Sequence, residues 1–207
     1  MFAMNLLAHI YLSGSDKYIK IGNFIGDYVK GRKYREYPCQ VQKGILLHRT
    51  IDSFTDDHAI PREVKSILRP YYRKYAGIVV DVFYDHFLAG NWHTYSGFSL
   101  DGYIADFYRI LKGHFDLLPA GVQQFVPRMI SHNRLYAYRR LEGVEKALSG
   151  MSKYSSLPEE TDAAMRVLVD YYELIQRNFN RFFPVMIDHV TQVYNIDIKR
   201  HHTGGAQ

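Results

Sequence analysis

Apolar residues recur every three or four positions along most of this chain, the period of α-helices seated against a common core. A short apolar segment runs from Asn5 to Tyr11 and ends at Ser13-Gly14-Ser15. A second short helix is expected over Tyr18–Lys30, interrupted by Gly22 and Gly26 and closed by Gly31. Tyr37-Pro38 opens a helix from Cys39 to Phe54, with Val41, Ile45, Leu46, Phe54, His48 and Asp52 assigned to its inward face. Asp57 is the expected N-cap of a helix reaching Leu68. Pro70 interrupts that helix or begins the next, and a long apolar helix follows to Trp92. Its Val and Ile run also fits a strand, but its length and helical surroundings favour a helix.

Further helices are expected over Ser99–Lys112, Pro119–His132 and Leu135–Leu148. Ser156-Leu157-Pro158-Glu159 has capping-box spacing, and the helix it would open carries Ala164, Leu168, Tyr171, Ile175, Phe179 and Phe182 on one face. Pro184 kinks or ends it, and a last turn or two reaches Tyr194. No hairpin signal, internal repeat or low-complexity linker is visible. The expectation is one all-α domain, a helical bundle over residues 1–200, with 201–207 as a disordered tail.

Polar residues that interrupt the apolar faces carry the chemistry. His48 and Asp52 lie four positions apart, one above the other on a helix, where both can reach one divalent cation. The second apolar helix presents Asp81, Asp85 and His86, and a buried carboxylate is costly unless it is paired or bound to a cation. His9 lies inside Leu6-Leu7-Ala8-His9-Ile10, and Asp27 follows Gly26. Each has a plainer reading: a satisfied core histidine, a capped turn, an Asp81–Arg pair, a helix-surface pair. Together they point to a metal site built from several helices, and so to a hydrolase. Arg49 could hold a phosphate bidentately or form a surface ion pair. Lys30, Arg32 and Lys33 form a basic patch that could receive an acidic substrate.

Composition narrows the picture. A chain of 207 residues that is 47% hydrophobic can build a real core and is not disordered. The single cysteine, Cys39, excludes an internal disulfide and a thiolate metal cluster. No apolar run approaches the ~20 residues that span a bilayer. The N-terminus lacks a basic leader and a cleavage signal, so the cytoplasm is the expected location. A net charge of +5 favours acidic partners. The 18 tyrosines and 12 phenylalanines are expected in the core rather than as base-stacking platforms. Phosphate-loop, dinucleotide-binding, zincin and serine-hydrolase motifs are missing.

Four strings resemble the bacterial acyl carrier protein phosphodiesterase family in order and spacing. They are Asn5-Leu6-Leu7-Ala8-His9-Ile10-Tyr11-Leu12, Gly22 to Gly31, Gly44 to Asp56, and Asp81 to Ala89. The likeness runs from Met4 to about the final helix, and its C-terminal half is similar mainly in helical pattern and in Phe182-Phe183-Pro184. The resemblance implies an all-helical fold of the HD-type phosphohydrolases. It implies hydrolysis of the phosphodiester that joins phosphopantetheine to a serine of holo acyl carrier protein. Manganese is the implied metal, with magnesium as the alternative.

His9, Asp27, His48, Asp52, Asp85 and His86 are the implied metal-site residues, and Asp27, His48, Arg49, Asp52 and Asp85 the catalytic ones. Asn23, Lys30, Arg32 and Arg49 are the implied substrate contacts. Asp85-His86 inverts the His-Asp order of the wider group, and Thr50 stands where the family often has a second Arg. Asp85 or Asp56 is the expected general base. The holo carrier protein is the expected partner, with neither nucleic acid nor membrane. Two rivals remain: a phosphohydrolase for a nucleotide or other small phosphodiester, and a non-catalytic helical module for an acidic partner.

Overall fold

The computed structural model describes residues 6–198, so the expected tail over 201–207 lies outside the described residues. The chain folds into an all-α, single-domain bundle: α1 (Leu6–Leu12), α2 (Lys17–Ile25), α3 (Cys39–Asp57), α4 (Ala59–Tyr72), α5 (Ala76–Gly90), α6 (Trp92–Tyr95), α7 (Leu100–Gly113), α8 (Ala120–Ser131), α9 (Arg134–Ala137), α10 (Leu141–Tyr154), α11 (Thr161–Asp170) and α12 (Tyr172–Tyr194). Short 3-10 turns cover Gly26–Tyr28, Lys33–Glu36, Arg73–Tyr75 and Phe115–Leu117. Among the described residues there is no strand, so the Val and Ile run of α5 is helical, as expected.

α5 is the central helix. Val79, Val80, Val82, Phe83, Phe87 and Leu88 are buried, and α1, α4, α10 and α12 pack around it. A helix apolar on every side belongs in the middle of a bundle. Each of its phenylalanines contributes roughly 2–3 kcal/mol by leaving water.

α2 and α3 form the closest helix pair. A Cβ on Gly22 would stand 2.1 Å from the Val41 carbonyl oxygen, and one on Gly44 2.3 Å from that of Ile19. Gly22 therefore does not interrupt α2; it lets two backbones touch. Gly26 is where α2 tightens into a 3-10 turn, and a Cβ there would strike the His48 ring at 2.3 Å.

Several expected boundaries move. α3 continues through Asp57, and the cap of α4 is His58, whose Nδ1 accepts from the Ile60 N–H at 3.2 Å. Pro70 and Pro184 lie inside α4 and α12 rather than ending them. Ser156 caps no helix. Its neighbour Ser155 donates to the Met151 carbonyl and accepts from the Leu157 N–H, which closes α10, and α11 starts only at Thr161. The expected helix through Phe182 breaks at Tyr171, whose N–H bonds back to Val167. Leu46 is exposed and Leu47 buried, because Leu46 falls about 140° around the helix from Val41.

Candidate metal centre

α1 delivers His9, α2 delivers Asn23, the following 3-10 turn delivers Asp27, and α3 delivers His48 and Asp52. The His9 and His48 rings stack with centroids 4.2 Å apart. His9 Nε2 lies 3.2 Å from Asp52 Oδ1, and His48 Nε2 lies 3.2 Å from Asp52 Oδ2 and 3.5 Å from Asp27 Oδ1. His9, His48 and Asp52 each bring one ligand atom to within 4.8 Å of the other two.

Asn23 organises the pair. Its Nδ2 donates to the His9 carbonyl at 2.8 Å and to Ser13 Oγ at 2.9 Å, which turns Oδ1 toward His9 Nδ1 at 2.6 Å. His48 Nδ1 meets the Asn23 backbone carbonyl at 2.8 Å. Both partners are pure acceptors, so both Nδ1 atoms carry hydrogen in the neutral rings. The Nε2 atoms are then bare lone pairs, buried and without a hydrogen-bond partner, facing carboxylate oxygens.

Lone pair against anion is repulsive unless a cation lies between them. A proton can be that cation. Although burial opposes it, hydrogen bonding to Asp27 and Asp52 pushes the His48 pKa up to about 9. Asp52 is likewise held far below the usual carboxylate range by both histidines, against the opposing effect of burial. A divalent metal fits as well: 3.2 Å is close to the ~3 Å between adjacent ligands on a cation with ~2.1 Å bonds. Imidazoles oriented through Nδ1 by outer hydrogen bonds are the usual form of metal-binding histidines.

Asp85 and His86 are not brought into this cluster. Asp85 is fully buried, and its two oxygens accept from the Leu7 and Ala8 N–H groups at 2.9 Å each. It caps α1 from another helix, one residue before His9. Burial pushes its pKa up to about 7, with those two N–H groups pulling the other way. His86 Nδ1 donates to the Tyr138 carbonyl at 2.8 Å, which leaves Nε2 to accept from the Tyr172 hydroxyl at 3.0 Å. Both nitrogens are engaged, and burial holds the ring neutral.

Arg49 is also partly spent. One terminal nitrogen donates to the Val29 and Gly31 carbonyls at 2.8 and 2.9 Å, and the guanidinium lies 5.4 Å from the Tyr34 ring. It ties the loop after Asp27 to α3. Lys30 and Arg32 are exposed on that loop, with Lys30 Nζ 4.0 Å from Asp27. Thr50 accepts from or donates to the Tyr194 hydroxyl at 2.7 Å. Asp56, the alternative base, takes the buried Lys65 ammonium at 2.8 Å.

Asp81 finds no Arg. Its Oδ1 is buried without a partner, and burial, then the Asp52 charge, push its pKa well above the usual carboxylate range. The sequence shows its apolar surround but not its placement within reach of the Asp52 field.

An all-α bundle whose separate helices converge two bare imidazole nitrogens on a carboxylate defines a helical protein with a candidate metal centre. The chain belongs to the acyl carrier protein phosphodiesterase family, whose model matches residues 4–186. It is 31% identical to an acyl carrier protein phosphodiesterase of Klebsiella pneumoniae subsp. pneumoniae over 188 residues, covering 89% of this chain and 96% of that protein. A protein of the same name from Yersinia pestis is 27% identical over 185 residues, again covering 89% and 96%. No solved structure matches the chain. Among the described residues no helix is long and apolar enough to cross a membrane.

Proposed function

We propose that this enzyme hydrolyses the phosphodiester joining phosphopantetheine to a serine of holo acyl carrier protein, releasing the apo protein. The observation that carries the metal dependence is the pair of buried Nε2 atoms, without hydrogen-bond partners, that face Asp52. His9, His48 and Asp52 would hold a divalent cation, Mn²⁺ with Mg²⁺ as the alternative, and Asp27 stands beside the His48 end of the set. Such a cation supplies Lewis-acid polarisation of a phosphoryl oxygen and a more acidic water.

The chain's own residues do the rest. Asn23 fixes both imidazoles with their Nδ1–H turned away from the substrate side. Asp27, less buried than the histidines, is placed to hold a proton taken from water. Asp81, whose carboxyl pKa is pushed well above the usual range by burial and then by the Asp52 charge, would give one to the leaving serine oxygen. Asp85 holds α1, and hence His9, in position.

Exposed Lys30, Arg32, Lys33 and Arg35 line the loop beside Asp27, and their charge suits an acidic carrier protein. Arg49 shapes that loop and keeps further N–H groups for a phosphate. Kinship with HD-type phosphohydrolases, one domain over residues 1–200 and a cytoplasmic site of action belong to the same proposal, with no role for nucleic acid or membrane.

The test is intact-mass analysis of holo acyl carrier protein incubated with the enzyme and Mn²⁺, beside a panel of nucleotide phosphodiesters. Loss of the phosphopantetheine mass only with metal is expected. An unchanged carrier protein alongside turnover of a nucleotide would overturn the substrate assignment.

A further inference from the structure

A second built site, lined by residues other than those of the metal centre, lies at the end of α1 and the start of α2. A cavity of about 560 Å³ opens between the end of α1, the start of α2 and the N-terminus of α7. That volume is in the range that takes a small organic ligand. Lys20 lines it with 6% of its surface exposed. Among the described residues the Lys20 ammonium has no hydrogen bond and no ion pair; it lies 4.8 Å from the centre of the Tyr103 ring.

Asp106, the carboxylate whose charge acts on Lys20, is engaged by Arg109 at 2.7 Å. Burial pushes the Lys20 pKa down, with Asp106 pulling the other way. A buried ammonium without a counter-ion is costly, and a ligand anion would relieve it.

Donors flank Lys20 in the cavity, and two carboxylates, Asp197 and the Arg109-paired Asp106, also belong to its polar lining. Ser96 and Ser99 Oγ each accept a backbone N–H, from Phe98 and Gly102, which leaves both hydroxyl hydrogens available. Ser99 caps α7, a helix of 14 residues whose positive end faces the cavity. One unpaired cation suits a monoanion; a dianion would need a second. The apolar part of the wall is Tyr11, Phe98 and Ile198, with Phe98 74% exposed.

We propose that this cavity binds a small organic monocarboxylate with an apolar chain, its carboxylate on Lys20 and the Ser96 and Ser99 hydroxyls, its chain against Phe98, Tyr11 and Ile198. The site shares none of these residues with the metal centre and stands or falls independently of the phosphodiesterase assignment.

Trp92 reports on it. It is the chain's single tryptophan, its ring lies 4.8 Å from that of Tyr103, and its indole N–H bonds the Phe98 carbonyl. Titrating the full chain with octanoate is expected to change Trp92 fluorescence saturably, with octanol and inorganic phosphate each binding at least about tenfold more weakly. Lys20→Met should weaken octanoate at least about tenfold, Lys20→Arg only a few-fold, and both should turn over holo carrier protein like the wild type. Equal binding of octanoate and octanol, phosphate binding as tight as octanoate, or Lys20→Met binding octanoate like the wild type would each overturn the proposal. Should Lys20→Met fail to fold, the ligand comparison on the wild type decides.

Discussion

The metal centre and the Asp85–His86 pair use the same side-chain types and end in opposite states. At Asp85 and His86 every side-chain polar atom has a partner: two backbone N–H groups on the carboxylate, a carbonyl and a hydroxyl on the ring. At His9 and His48 only Nδ1 is used, and Nε2 is left bare toward carboxylates. A buried His or Asp becomes a ligand through what its neighbours leave unsatisfied, not through its identity or spacing.

If this contrast is right, the two regions respond differently to mutation. Asp52→Ala should cut turnover of holo carrier protein by more than the ~10–100-fold that losing an outer partner costs, with the helical circular dichroism unchanged. Wild-type turnover in this variant would dissolve the contrast from the metal side.

The metal-free protein should also depend on pH through His48. Its folded pKa of about 9 exceeds the unfolded 6.5, so the stabilisation is fully present below pH 6.5 and lost as pH rises through 9. Roughly 3 kcal/mol is at stake. Chemical denaturation of chelator-treated protein at pH 6 and pH 9.5 measures it, and saturating Mn²⁺ should flatten the difference.

Asp85→Ala leaves the Leu7 and Ala8 N–H groups buried without acceptors and should cost about 2–4 kcal/mol of stability. Mn²⁺ should still bind the variant at temperatures where it remains folded. A complete loss of Mn²⁺ binding with no loss of stability would place Asp85 among the ligands instead.

Asn23→Leu should weaken Mn²⁺ about 10–100-fold, because both imidazoles lose their orienting acceptor or its anchoring. Tyr172→Phe should show the smallest effect, about 1 kcal/mol in thermal stability with metal affinity untouched, since it removes one donor from His86.

Much of this was legible in the chain. Helical periodicity announced an all-α bundle, and the four-residue step from His48 to Asp52 placed both on one face of α3, where they are found. The missed boundaries share a cause: a cap is a competition between neighbours. Asp57 lost to His58, and the serine next to the expected Ser156 cap went into closing α10. Local spacing does not say which helix end claims a side chain. The cavity at Lys20 was equally hidden, since a lysine among apolar residues reads as a helix-surface charge until three elements enclose it.

The sequence alone therefore determined the helices and the inward faces, because those follow from a period of 3.6 residues and the burial of apolar surface. It also supplied the small residues that let α2 touch α3. Only the tertiary structure decided which polar groups became satisfied. Asp85 meets Leu7 and Ala8 across 78 and 77 residues of chain, and His86 meets Tyr172 across 86. Lone-pair occupancy depends on the atoms that long-range packing brings within 3 Å, and no periodicity along the chain encodes that.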